Sequence, residues 1–260
     1  VPWSELGHDF IETWGHKEDG SLADEHLEVT GQTGSGKSYA TATILQQRAQ
    51  RWDSPEIAVV TKQQDDSIPL LGWPVVQDYD GLRDYRQAVF WPQTRLQGAE
   101  REKFHEKRIY ELLTKLWQPD ANCVISFDEI GYVEDLSRRL RKQIRMMWRE
   151  ARSTHISMIA SKQRPVGVVR DQHSESRWKI VFPPADMGDM KRFAELLGRP
   201  ADWAPVLESL DQERHQFVIR NNVTKLAYIS WIDSQLRPLP SQQHQRPKNV
   251  HEAMYGQQNT

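Results

Sequence analysis

The chain has 260 residues, 38% of them hydrophobic and 27% charged, with one cysteine and a formal charge of -2 at pH 7. That length holds one large domain or one domain with small additions. The near-balanced charge excludes a nucleic-acid binder working by bulk positive charge, and lone Cys123 excludes an internal disulfide or a multi-cysteine metal site. No run approaches the roughly 20 apolar residues of a membrane span, and residues 1–6 lack the basic and apolar character of an export signal. The expected location is therefore cytoplasmic.

In chain order, residues 1–25 read as an N-terminal extension in which Phe10, Ile11 and Trp14 form a short helical anchor. Residues 26–30 alternate as a strand, 31–36 are a glycine-rich turn, and 37–51 read as a helix with Ala40, Ile44 and Ala49 near one face. The apolar run 57–60 reads as a buried parallel strand. Pro69, Gly72 and Pro74 mark a loop, 80–87 a short helix, and 88–91 a strand closed by Pro92. Over 99–117, Phe104, Ile109, Leu112, Leu113 and Leu116 are spaced for one broad helical face. A strand at 122–127 precedes the strongest helix, 136–153, and further strands are expected at 155–160 and 178–182. A helix over 189–197 is stopped by Gly198 and Pro200, and 217–220 with 226–231 flank a hairpin turn at Asn221-Asn222. From 234 to 260 the chain is rich in Pro and Gln and reads as a flexible polar tail. Strands alternating with helices over 26–182 predict an α/β domain, spanning 26–233, with a mostly parallel sheet covered on both faces.

The sharpest motif is Gly31-Gln32-Thr33-Gly34-Ser35-Gly36-Lys37-Ser38, which matches G-x-x-x-x-G-K-[ST] between a strand and a helix. Its glycines let the backbone curl around phosphate oxygens, and its amides and helix N-terminus supply partial positive charge. Lys37 suits the β- and γ-phosphates of ATP and Ser38 suits Mg²⁺. The strand ending in Asp128-Glu129 places two carboxylates at the same sheet edge. Asp128 is suited to hold Mg²⁺, directly or through water, and Glu129 to polarise an attacking water. Gln163 lies just past the 155–160 strand, which is expected beside the Asp128 strand, and so falls near the γ-phosphate or that water.

Seven basic residues crowd positions 138–152, and Arg138, Lys142, Arg145, Arg149 and Arg152 recur at helical spacing as one stripe. Leu136, Leu140, Ile144, Met147 and Ala151 form the apolar face beside it. The stripe fits a DNA path, a neighbouring subunit's ATP, or a solvated face paired to acids elsewhere.

The order of these features resembles the FtsK/HerA group of P-loop ATPases: the phosphate loop, the run 125–129, the run 149–156 and Gln163-Arg164-Pro165. The resemblance implies a RecA-like fold of the additional-strand catalytic-glutamate type. It also implies an ATPase that uses ATP and Mg²⁺, and a homo-oligomeric ring, commonly a hexamer, that threads double-stranded DNA. It assigns Gln163 as the γ-phosphate sensor, and Arg149 or Arg152 as the residue completing the neighbour's site. Arg138, Lys142 and Arg145 then remain for DNA phosphates. A bare motor of this size looks most like a viral genome-packaging ATPase, with a capsid or portal component as further partner and the host cytoplasm or virion as location. Two alternatives stay open: a cellular or plasmid DNA-transfer ATPase, and a nucleotide-gated assembly protein that does not move DNA.

Overall fold

Nine strands form one sheet in a computed structural model that describes residues 1–15, 25–52, 55–64, 71–119, 121–164, 170–184 and 186–233. They are β1 (His26–Thr30), β2 (Glu56–Val59), β3 (Val75–Val76), β4 (Gln87–Phe90), β5 (Cys123–Phe127), β6 (Ile156–Lys162), β7 (Ser176–Val181), β8 (Phe217–Asn221) and β9 (Ala227–Ser230). Their order is β3-β4-β2-β5-β6-β1-β7-β8-β9. Strands β1 to β7 are parallel, and β8 and β9 add an antiparallel hairpin at one edge. β6 thus lies between the strand that feeds the phosphate loop and the strand that ends in Asp128.

Period-two alternation sends successive side chains of each strand to opposite faces. On one face Ile57, Val59, Ile125, Phe127, Met158 and Ala160 pack beneath the helices Gly98–Leu116 and Arg138–Glu150. On the other, Leu27, Val29, Ala58, Val124 and Ile159 pack beneath the helices Trp3–Gly15 and Lys37–Trp52. Trp3, Phe10, Ile11 and Trp14 are buried there, so the N-terminal helix is part of the core. A third cluster, Phe193, Leu197 and Leu207, covers Val181 and Val218.

The expected strands all form, with small boundary shifts: β6 runs two residues beyond Ala160, because Thr30 offers Lys162 a pairing partner. Three other expectations change, and one helix is added. The helix predicted over 136–153 is three pieces: Ile130–Leu136, Arg138–Glu150 and a 3-10 turn at Ala151–Thr154. Ser137 makes the first break, being extended and accepting a hydrogen bond from the Leu140 amide as an N-cap. The helix over 189–197 ends at Leu197 as expected, and Pro200 then starts a further helix, Pro200–Glu208, where its missing N–H costs nothing. The helix expected over 80–87 is only Tyr79–Leu82, since Gln87 is already in β4. The hairpin turn is longer than Asn221-Asn222, because pairing resumes only at Ala227. Pro69, Pro165 and the expected tail lie outside the described residues.

Candidate nucleotide site

The phosphate loop is anchored at its entry by β6, where the Gly31 amide donates to the Lys162 carbonyl at 3.2 Å. Gly34 and Gly36 have φ of 81° and 98°, the left-handed region where a side chain is strained. Gly36 also has no spare room, since a Cβ there would lie 3.1 Å from Cβ of His215. The loop closes with a hydrogen bond from the Ser35 amide to the Gln32 carbonyl at 3.2 Å, and the helix Lys37–Trp52 begins at once. Its first amides have no partners within the helix and mark an anion site.

Lys37 is buried, and its Nζ donates to the Gln32 carbonyl at 2.9 Å. Burial lowers its pKa to about 8; Glu129 opposes that shift and Lys62 adds to it. A neutral carbonyl is a weak partner for an ammonium, so a phosphate oxygen is the better acceptor.

Glu129 follows Asp128 just past the end of β5 and occupies the N-cap position of the helix Ile130–Leu136 without a side-chain capping hydrogen bond, which leaves its carboxylate for the site. Burial raises its pKa and the Asp128 charge raises it further, while Lys37, Lys62 and the nearby Gln163 amide pull it down. Lys37, Asp128, Glu129 and Gln163 are therefore gathered in one electrostatic neighbourhood. The strand order does this: Phe127 pairs with Ala160 and Thr30 with Lys162, so the ends of β5, β6 and β1 adjoin.

Asp128 has company that sequence reasoning missed. Its Oδ1 accepts from the Thr61 amide at 3.3 Å and from the Thr61 hydroxyl at 3.2 Å. Its Oδ2 lies 3.5 Å from Nζ of Lys62. These residues lie two and three positions beyond the end of β2, which pairs with β5, so the available signal was the parallel-sheet rule that residues after each strand share one edge. A second omission is a cavity of ≈ 150 Å³ beside the loop, lined by Gln32, Thr33, Pro183, Gln212, His215 and Gln216. It adjoins the phosphate loop on the side away from Asp128, toward β7 and β8.

Below the loop lies a buried ion cluster. Glu28 of β1 pairs with Lys162 of β6, lies 4.0 Å from Nζ of Lys179 of β7, and 3.4 Å from Nδ1 of His173. Burial alone would push the Glu28 pKa up, but Lys162, His173 and Lys179 hold it well below the carboxylate range. Lys162 is thus pinned immediately before Gln163.

The basic helix is placed differently from the phosphate-site residues. It returns the chain from the end of β5 to the start of β6, so it crosses the sheet from the site edge to the opposite edge. Thirteen residues at 1.5 Å each make that path roughly 20 Å. Trp148 packs edge-on against His26 at the start of β1, and Arg152 pairs with Glu175 at 3.2 Å just before β7. Arg149 and Arg152 are therefore not gathered with Lys37, Glu129 and Gln163 of their own subunit. Arg152 sits on the 3-10 turn, off the helix that carries the rest of the stripe. Arg138, Lys142 and Arg145 are exposed, and Arg138 and Lys142 make no ion pair among the described residues. Arg141 is bound to Asp135 at 2.6 Å, and Arg139 lies over the Tyr110 ring at 3.4 Å.

No family profile and no curated protein matches the chain. Solved structures do match in fold. The genome packaging NTPase B204 from Sulfolobus turreted icosahedral virus 2, in complex with AMPPCP, has a TM-score of 0.60 at 14% identity, over 82% of this chain and 99% of that one. VirB4 of Thermoanaerobacter pseudethanolicus has a TM-score of 0.63 at 9% identity, over 85% of this chain and 96% of that one. The pCW3 conjugation coupling protein TcpA, with ATPγS, has a TM-score of 0.53 at 15% identity, over 81% and 61%. The chain is thus an α/β protein with the RecA-like P-loop fold of these structures, in keeping with its resemblance to the FtsK/HerA group.

Proposed function

We propose that the chain is an ATPase that translocates double-stranded DNA and that its task is packaging a viral genome. The observation that carries this is the convergence of Glu129, Gln163 and Lys37 at the phosphate loop, through a strand inserted between β1 and β5. The matched NTPase B204 is a genome packaging protein of nearly the same extent as this fold, which supports the finer reading. The conjugation protein TcpA favours a second reading, DNA transfer between cells.

In the proposed reaction the loop amides and Lys37 hold the β- and γ-phosphates of ATP and offset charge gathering on the transferred phosphoryl group. The cavity beside the loop takes the nucleoside, with His215 and Gln216 at its wall. Glu129, made more basic by burial and by Asp128, holds the attacking water by accepting its proton. Gln163 orients the Glu129 carboxylate and reads the γ-phosphate. Ser38 and Asp128 fit Mg²⁺: both offer hard oxygen donors, and Asp128 already faces a cation, Lys62. Held there, the cation would supply positive charge to offset that of the phosphates. Arg149 or Arg152, remote from its own site, serves the neighbouring subunit's nucleotide in a hexameric ring, and Arg138, Lys142 and Arg145 face DNA.

The test is ATP turnover with and without long double-stranded DNA, on protein whose mass in solution is measured at the same concentration. Stimulation by DNA in an oligomer supports the reading, and DNA-indifferent turnover returns the chain to an assembly role. Glu129→Gln keeps ATP binding and loses turnover. Mixing Glu129→Gln with Arg149→Ala subunits restores some activity if the arginine acts in trans, while an arginine that serves its own subunit leaves the mixture silent.

A further inference from the structure

A second cavity, of ≈ 450 Å³, opens on the far side of Asp128 from the phosphate loop. It lies where β2 and β4 end, against the first turns of the helix Gly98–Leu116. Lys62, Gln93, Thr94, Arg95, Arg101 and His105 line it, and no carboxylate does so among the described residues. Lys62 is already paired with Asp128, and Arg95 and Arg101 add two guanidinium groups with no carboxylate among the described lining residues, a concentration of positive charge that suits an anion.

The lining is also built rather than merely charged. Nη2 of Arg101 donates to the Thr61 carbonyl at 2.9 Å, which fixes the guanidinium at the cavity wall. His105 is 3% exposed, and its Nδ1 lies 3.0 Å from the Tyr132 hydroxyl, so its ring is held in place. Arg95 and Arg101 make no ion pair among the described residues. Two guanidinium forks, an ammonium, a threonine hydroxyl and a glutamine amide form a donor set for tetrahedral oxygens.

We propose that this cavity binds a phosphate group, and that in the working protein the phosphate is one of a DNA backbone; that source rests on the translocase reading above. The other source of the same chemistry is the orthophosphate released by hydrolysis. Lys62 gives the site its consequence. It lines the cavity and also lies 3.5 Å from Oδ2 of Asp128. A phosphate in the cavity competes with Asp128 for that ammonium, so occupancy of this site is felt at the nucleotide edge.

The experiment measures anisotropy of a labelled 30-base-pair duplex against KCl concentration, for the wild type, Arg95→Gln, Lys62→Gln/Arg95→Gln and a control, Lys103→Gln/Lys107→Gln, at exposed positions of the helix Gly98–Leu116. The salt slope falls by about one for each phosphate no longer neutralised, so it should fall by about one in the double variant, which empties the site of its single phosphate, and by no more than that in Arg95→Gln. It should stay near the wild-type slope in the control. A double variant with the wild-type slope overturns the DNA assignment while leaving the translocase reading intact. If the wild type binds no duplex, that reading fails instead, and a second arm decides the site. There, inorganic phosphate is titrated by calorimetry into Lys37→Ala protein with and without Arg95→Gln. Binding heat that disappears with Arg95 supports a site for the free ion, and no difference overturns the site altogether. Arg95 is exposed, so its replacement keeps the test independent of folding.

Discussion

Replacing Gln163 by Ala removes the amide that favours the charged form of the Glu129 carboxylate. A hydrogen bond to a charged group contributes about 1.5–3 kcal/mol. Gln163 is exposed at the strand end, so water replaces part of that and the lower end applies. At about 1.4 kcal/mol per decade of rate, turnover should fall about tenfold. ATP affinity should change less, because the amide serves the water-holding group rather than the β-phosphate. A second effect follows from the electrostatics. Gln163 lowers the Glu129 pKa, so its removal moves that pKa up, and the acid limb of the kcat/KM profile should move to higher pH. The assay is steady-state ATP hydrolysis from pH 5 to 9, with equilibrium ATP binding measured in parallel. Turnover and acid limb both unchanged would show that Gln163 does not act on Glu129, and would refute the reasoning.

Three further outcomes are expected. ATP binding should weaken as pH rises through about 8, since Lys37 loses its ammonium there; about a tenth stays protonated at pH 9, so affinity measured by calorimetry should drop about tenfold, with proton uptake on binding. Gly36→Ala should cost about 1–2 kcal/mol in a denaturant titration, and should abolish ATP binding, because a φ of 98° and the nearby His215 both oppose a Cβ. Glu28→Gln strands Lys162 and Lys179 without their counter-charge and should cost about 3–5 kcal/mol. Since the Glu28 pKa is depressed, that contribution is present above the ordinary glutamate range and vanishes only in strong acid, so the variant's deficit, followed by thermal melting, should narrow as pH falls.

What the amino-acid order determines by itself is local. A run of β-branched residues, a glycine-rich turn and an amphipathic period are written in neighbouring positions, so the strands, the phosphate loop and the helix face of Leu140, Ile144 and Met147 were legible. Gln163 was legible because a residue just past a parallel strand must fall at the edge where the phosphate loop lies. Three features depend on the order and direction in which the strands assemble rather than on any one local pattern, although the placement of β6 beside the Asp128 strand was already expected from the strand–helix alternation. The insertion of β6 between β1 and β5 sets Gln163 against Glu129. The pairing of β2 with β5 brings Thr61 and Lys62 to Asp128 across 67 residues of chain. The direction of the basic helix is the third: Arg149 is near Gln163 in sequence but at the opposite edge in space. A parallel strand must be entered from the edge opposite its end, so the residues leading into β6 are carried away from the site that its last residue reaches.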